Sequence, residues 1–354
     1  KTFIKMKRVT LLKKTRRTIF LPEGYPHSVR PPYLKFTLYN AVSNVASSAL
    51  GVLSTQQLLL GLGINSLSAS AALNWIVKDG LGQLGGIAFT SYVGTRFDAN
   101  ARYYRLVSAV FCNMACLLEL ASPLAPNWFL PIAAIATTGK NISCLAGSAS
   151  KAAIHQHLAL ENNLADVTAK SGNQSNFSGL LGMAIGTSLA YSLQPWIFPM
   201  FIGLSAIHIG GVYVSVKQVD FNTLNIKRAE ILIDHFIETG KILSSEEVAQ
   251  RDSLLKITHD EGVVIGSPES LVEIPEKHDK PYYITKEGDW TYLALEEKCS
   301  EEDVLAGLIE AFVHHKEQEL SLEPSAFLSA LRAAGWHTHT SHLDLGSMRY
   351  SVSH

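Results

Sequence analysis

Lys78, Asp79, Glu119 and Lys140 stand inside stretches that are otherwise apolar, and their side chains have the most chemistry to offer in this chain. An ionisable group at bilayer depth costs about 3 kcal/mol on insertion scales, so it faces the bundle interior and a partner. Lys78 and Asp79 are consecutive and point about 100° apart on a helix. Each is therefore expected to meet a charge from another helix, Asp79 with Lys140 and Lys78 with Glu119. Two readings of the four stay open. They form a polar pathway or substrate site, or they are structural ion pairs near helix ends with the lysines snorkelling outward.

Other constellations are weaker. Gly94, Asp98 and Arg102 fall at i, i+4 and i+8, followed by Arg105. Asp98 suits the start of a helix, where its charge opposes the macrodipole, and Arg102 lies one turn on and can pair with it. This pattern resembles the cytoplasmic gating loop between the second and third helices of major facilitator transporters, without that loop's second glycine and paired basic residues. His155 and His157 would point away from each other on a helix, a poor metal clamp. The segment 151–172 reads mostly as a solvated amphipathic linker. Cys112, Cys116 and Cys144 lie in apolar stretches and read as small core residues. His314, His315, His337, His339 and His342 read as surface histidines, so no metal site is assigned. There is no glycine-rich phosphate loop, GxSxG or HExxH. The expectation is a protein that is not an enzyme, with its cofactor unknown.

The elements that must position these groups follow from charge segregation. Residues 1–35 carry ten Lys/Arg and one acid, residues 36–216 seven basic and five acidic side chains, and residues 217–354 thirteen and twenty-five. Three parts follow: a basic N-terminal arm ending in FLPEGYPHSV (1–35), an apolar body (36–216) and an acidic soluble domain (217–354). The arm reads as a polybasic segment on an anionic membrane surface or as a transit peptide, with the surface reading ahead because the apolar body follows directly. From Ser171 to Val216 there is no Asp, Glu, Lys or Arg in forty-six residues, which has the length of two crossings at about 20 residues each. Four more helices are expected over Phe36–Leu60, Ala69–Val93, Leu106–Ala121 and Phe129–Ser150. Six spans place Arg96, Arg102, Arg105, Lys151, Lys170 and the basic arm on one side, opposite the connections GLGINSLS, PLAPNW and LQP, which have no Lys or Arg. That is the positive-inside asymmetry. Ionisable chemistry is then expected from the first four helices and their loops.

The acidic domain shows a helix from Leu224 to Thr239 stopped by Gly240 and a helix start at Ser245. Two strands, PYYITK and WTYLALEE, flank Glu287-Gly288-Asp289. Ser300 to Asp303 is a capping box before LAGLIEAFVHH. A helix over Phe327–Gly335 and a last strand in HLDLGSMRYSV complete a small α+β domain. Its net negative charge argues against nucleic acid as a partner.

Several ordered blocks together resemble the root UVB-sensitive family: Phe20 to Val29, Trp75, Lys78 to Gly85, Asp98, Arg105, Lys140, His157, and Asn163 to Lys170. The sequence departs from the family pattern at Ser171, where members usually carry an acid, and at Gly86, where they often carry Arg. The resemblance implies a membrane-associated protein linked to vitamin B6 homeostasis and to responses to UV-B light. It implies plastid membranes for some plant members, complexes with a second copy or a paralogue, and no established enzymatic reaction. It makes His157, Asn163, Asp166 and Lys170 a family-motif loop. The expected molecule is mainly α, a six-helix membrane bundle resembling half of a major facilitator transporter with a small soluble α+β domain behind it. Its expected partners are membrane lipid, a second copy or paralogue, and a small-molecule ligand. Transport is the leading activity. A non-transporting scaffold, whose acidic domain binds a protein, is the alternative.

Overall fold

In the computed structural model, the described residues are 19–61, 69–93, 96–192, 194–254, 262–266, 280–316, 324–343 and 349–350. Residues 1–18 of the basic arm, Gly94 and the side chain of Trp75 lie outside them. The chain divides into two compact units, residues 1–97 with 101–219, and residues 98–100 with 220–354.

The first unit is helical. Six long helices follow one another: α1 (Tyr33–Gly61), α2 (Ala69–Val93), α4 (Ala101–Ala121), α5 (Phe129–Leu158), α6 (Leu164–Ser192) and α7 (Ile197–Lys217), with the single turn α3 (Arg96–Ala99) between α2 and α4. The breaks fall where proline removes a backbone donor. Ser122–Leu124 and Pro126–Trp128 form 3₁₀ turns around Pro123 and Pro126, and Gln194–Trp196 forms a third around Pro195. α1 is the hub, packing on α4, α6 and α7, while α4 packs on α5 and α2 on α5.

Small residues set these approaches. A Cβ at Gly186 on α6 would lie 2.8 Å from the Ala49 Cα on α1, so the two backbones meet there only because glycine has no side chain. Close backbone approach through small residues is how helices pack where lipid supplies no hydrophobic drive. Leu50 and Leu53 on α1, Cys116 and Leu120 on α4, and Ile197 and Phe201 on α7 form a buried apolar cluster. Elsewhere large apolar side chains face outward, among them Leu73, Ile76, Leu84 and Ile87 on α2, Phe111 and Met114 on α4, and Leu180 and Ile202 on α6 and α7.

Three segments among the described residues are long and apolar enough to cross a membrane: Ala101–Leu124, Pro126–Leu158 and Ile197–Lys217. α1, α2 and α6 have the length, at 29, 25 and 29 residues, but their many Ser, Thr, Asn and Gly residues dilute their mean hydropathy. One sequence expectation is corrected here. α5 continues eight residues past Ser150 to Leu158 and α6 begins at Leu164, so the solvated linker expected over 151–172 shrinks to a short connection. His155 and His157 are buried on the last turns of α5.

The second unit holds a small α+β core. Strand β1 (Thr223–Asn225) pairs in parallel with β5 (His337–His342). Strands β3 (Tyr282–Glu287) and β4 (Trp290–Glu296) form the expected hairpin, with Gly288 at φ 61° in the turn. β2 (Val263–Ile265) and β6 (Arg349–Tyr350) add to β4 in parallel. Helices α8 (Ile226–Thr239), α9 (Ser245–Arg251), α10 (Glu301–His315) and α11 (Pro324–Ala333) complete it. Ser244 and Ser300 each close a full capping box, and Gly240 ends α8 in the left-handed conformation. Leu232, Ile233, Leu293, Leu305, Phe312 and Phe327 are buried at its centre. Of the run HLDLGSMRYSV, His342 ends β5 and Arg349–Tyr350 form β6, while residues 344–348 lie outside the described residues. β1 and β5 are short and polar, so neither carries the alternation that marks a strand in sequence.

Candidate functional site

Two ion pairs and a cavity bring candidate ionisable groups of the helical unit together. The first holds Lys78 and Asp79. Lys78 is buried on α2, and its Nζ lies 2.5 Å from the Asp79 carboxylate and 3.3 Å from Thr137 Oγ1 on α5. The lysine pairs with its own neighbour rather than with Glu119. Its long flexible stem closes the angle between adjacent helical positions, and half of the Asp79 side chain stays exposed.

The second is the pair of Lys140 on α5 with Glu119 on α4, in which Lys140 donates to the Glu119 carboxylate and, at 3.1 Å, to Ser54 Oγ on α1. Lys140 therefore takes the partner expected for Lys78, and Asp79 does not reach it. Glu119 is 4 % exposed and Lys140 26 %, so the pair runs from the bundle interior toward an opening.

That opening is the third place, a cavity of about 280 Å³ among four helices. Arg105, Ser108 and Cys112 reach it from α4, and Lys140, Ser143 and Lys151 from α5. Asn44 and Ser47 on α1 and His208 on α7 complete most of its wall. Arg105 Nη2 donates to Asn40 Oδ1 at 3.0 Å, and Lys151 Nζ to Ser175 Oγ at 3.1 Å. Gly147 makes room for the guanidinium, because a Cβ there would lie 3.3 Å from Arg105 Nη1 and 3.2 Å from Ser108 Oγ. His208 is held through Asn113, whose Nδ2 donates to the Ser205 carbonyl. This turns the Asn113 Oδ1 toward His208 Nδ1 at 2.6 Å, so Nδ1 donates to it.

Lys151 and His208 were missed by sequence reasoning. Lys151 was assigned to a linker, and His208 lies in the run without Asp, Glu, Lys or Arg, from which no ionisable chemistry was expected. His208 is buried against the cavity. Of the transporter-like loop, Arg105 lines the cavity, Arg102 is buried near the start of α4, and Asp98 is exposed in α3, in the other compact unit. Gly94 lies outside the described residues.

The family-motif loop has a different geometry. The Asp166 carboxylate accepts from the Glu23 backbone N–H at 2.7 Å, and Asn163 Nδ2 donates to the Ser28 carbonyl at 3.1 Å. Arg30 Nε donates to the His157 carbonyl at 2.7 Å, and Val29 forms an antiparallel bridge with Ala159. Asn173 and Gln174 donate to the carbonyls of Ile19 and Phe20, and Phe177 packs against Phe20 with the rings tilted by 58°. Lys170 sits one turn below Asp166 at 3.7 Å. Asn163, Asp166 and Gln174, with the His157 carbonyl bound by Arg30, thus clasp the FLPEGYPHSV segment onto the α5–α6 connection, and Lys170 is paired with Asp166 beside it. No sequence spacing points to this, because the two blocks lie about 135 positions apart and meet largely through backbone atoms.

Residues 7–240 match the family profile described as the vitamin B6 photo-protection and homoeostasis domain. The chain is 36 % identical to protein root UVB sensitive 3 of Arabidopsis thaliana over 67 % of its length and 56 % of that protein's. It is 30 % identical to root UVB sensitive 2, chloroplastic, of the same plant over 90 % of its length and 81 % of that protein's. It is also 30 % identical to RUS family member 1 of Dictyostelium discoideum, over 74 % of the chain and 52 % of that protein. The chain thus spans about half the length of two of these three relatives. No solved structure matches it. The profile match over residues 7–240, together with these relatives, leads to one assignment: the chain belongs to the root UVB-sensitive family.

Proposed function

We propose that this chain is a multi-pass membrane protein that binds and moves a small molecule in vitamin B6 homeostasis. The observation that carries the reading is the polar cavity at Arg105, Lys140, Lys151 and His208, set inside a helical unit whose outer faces are apolar. Polar groups are expensive in an apolar bundle and mark substrate paths when they line a cavity. Outward-facing Leu, Ile and Phe on a monomer of this kind fit a lipid environment. All six long helices cross in this reading: Asn40, Ser43 and Ser54 of α1 are buried, and the exposed Ser91 of α2 and Ser188 of α6 donate back to the Ile87 and Ala184 carbonyls of their own helices. The membrane is that of an organelle, a plastid where the source is photosynthetic; one relative is named chloroplastic. A second copy or paralogue would complete the path, as two halves do in the transporters the bundle was compared with. The protein carries out no covalent reaction of its own.

The test is uptake of labelled B6 vitamers by proteoliposomes containing the purified chain. Uptake above that of empty vesicles, reduced several-fold by Lys140→Gln, is the expected result; no uptake of any vitamer would sink the transport reading. One observation favours a second reading. Residues 220–354 have a core of their own and carry the acidic charge, which suits a protein-binding domain on a membrane anchor. If deletion of 221–354 abolishes function in cells while Lys140→Gln does not, the scaffold reading takes its place.

A further inference from the structure

We infer that the cavity among α1, α4, α5 and α7 is a binding site for a small organic anion carrying a phosphate or carboxylate group, held by Arg105 and Lys151. This rests on the reading of the helical unit as a ligand-handling body and names the charge its ligand must have.

The wall carries three cationic side chains, Arg105, Lys140 and Lys151, and no Asp or Glu among its lining residues. Lys140 has its counter-charge in Glu119. Among the described residues the other two have none: Arg105 bonds to an amide oxygen and Lys151 to a hydroxyl, both neutral. Arg105 Nε is buried with no hydrogen-bond partner among the described residues. Two like charges facing one cavity repel each other, and each gives up hydration without an anion to replace it. A bound anion removes both penalties. The guanidinium fork suits the paired oxygens of a carboxylate or phosphate, and an ammonium adds a compact point charge. The Ser47 hydroxyl is a neutral donor on the same wall, whereas Ser108 and Ser143 donate to the Arg105 and Gly139 carbonyls of their own helices. The volume, about 280 Å³, sits at the lower edge of small-molecule pockets, which run from about 300 to 1,000 Å³. The occupant is therefore about one ring with its charged group, or smaller. Gly147 belongs to the design, since any side chain there would press on the Arg105 guanidinium.

The site is tested with the full chain in a neutral detergent, by thermal shift and equilibrium binding. The probes are pyridoxal 5′-phosphate, inorganic phosphate, uncharged pyridoxine and short-chain phosphatidic acid. Pyridoxal 5′-phosphate and phosphate should raise the unfolding temperature, pyridoxine should not, and added salt should weaken the effect. Arg105→Gln and Lys151→Gln should each weaken binding by about tenfold or more, with Arg105→Lys and Lys151→Arg intermediate. Should Arg105→Gln not yield monodisperse protein, Lys151→Gln and Gly147→Val read the same site. The inference is overturned if no anion shifts the unfolding temperature, if pyridoxine binds as well as the anions, or if the charge-removing variants bind as wild type. Stabilisation by phosphatidic acid alone would also overturn it, making the site a lipid headgroup site. Uptake of a neutral vitamer without anion binding would leave the proposed function standing and remove this inference, and anion binding without uptake would do the reverse.

Discussion

Glu119 and Lys140 are worth more as a pair than either is alone. Lys140→Gln leaves a carboxylate that is 4 % exposed without a counter-charge, while Glu119→Gln leaves an ammonium that is already 26 % exposed. Removing one partner of a buried pair costs about 3 to 5 kcal/mol, less where solvent reaches the survivor. Lys140→Gln should therefore lower stability by about 3 kcal/mol and Glu119→Gln by about half as much, with the double variant recovering part of the loss. Thermal unfolding in neutral detergent reads this, and equal losses for the two single variants would contradict the asymmetry. In the second unit, backbone and side-chain hydrogen bonds from Ser244 hold the exposed Glu247 carboxyl below its ordinary range. A carboxylate with a depressed folded value contributes stability above its unfolded value and loses it as pH falls through the folded one. The penalty of Ser244→Ala should accordingly shrink in acid. If that penalty is the same at pH 7 and at pH 3, the capping box works without the charge.

At the scale of elements, the contact of α1 with α6 depends on glycine. Gly186→Leu must push the helices apart, at a cost of at least about 1 to 3 kcal/mol. Gly203→Leu on α7 meets nothing within 4 Å and should be silent. Comparable unfolding temperatures for the two variants would remove the close-approach argument. The clasp makes a second prediction. Asp166→Ala and Asn163→Ala each remove one tie to the 20–29 segment, worth about 1 kcal/mol apiece. Together they should expose that segment to limited proteolysis before the helices are cut. Most helix ends were legible in sequence because proline and glycine act locally, as at Pro123, Pro126, Pro195 and Gly240. The end of α5 was not. Lys151, His155 and His157 look solvated in sequence, and only packing against neighbouring helices and the clasp makes a polar turn a buried one.

For the whole molecule, the number of crossings decides the reading. If all six long helices span, cysteines placed at Asn127 and Gln194 should label from one face of the membrane, and cysteines at Gln156 and Gln218 from the other. Labelling of all four from a single face would reduce the body to an anchor. The scale of the chain also separates what each level of description can supply. The first four long helices and the charge-free pair follow from composition, since apolar runs of this length with so few charges have few other uses.

The sequence by itself determined the helical body, its breaks, the capped and hairpin elements of the acidic domain, and the family. These rest on local propensity, hydropathy and ordered motifs, all of which act over a turn or two or are carried by residue identity. Only the tertiary structure decided which charges meet. It joined Lys78 to Asp79 and Lys140 to Glu119, brought Arg105, Lys151 and His208 to one cavity, and turned the motif at 157–170 into a clasp for 20–29. Ion pairing and cavity formation depend on distances between helices far apart in the chain, and no spacing along the sequence encodes those distances.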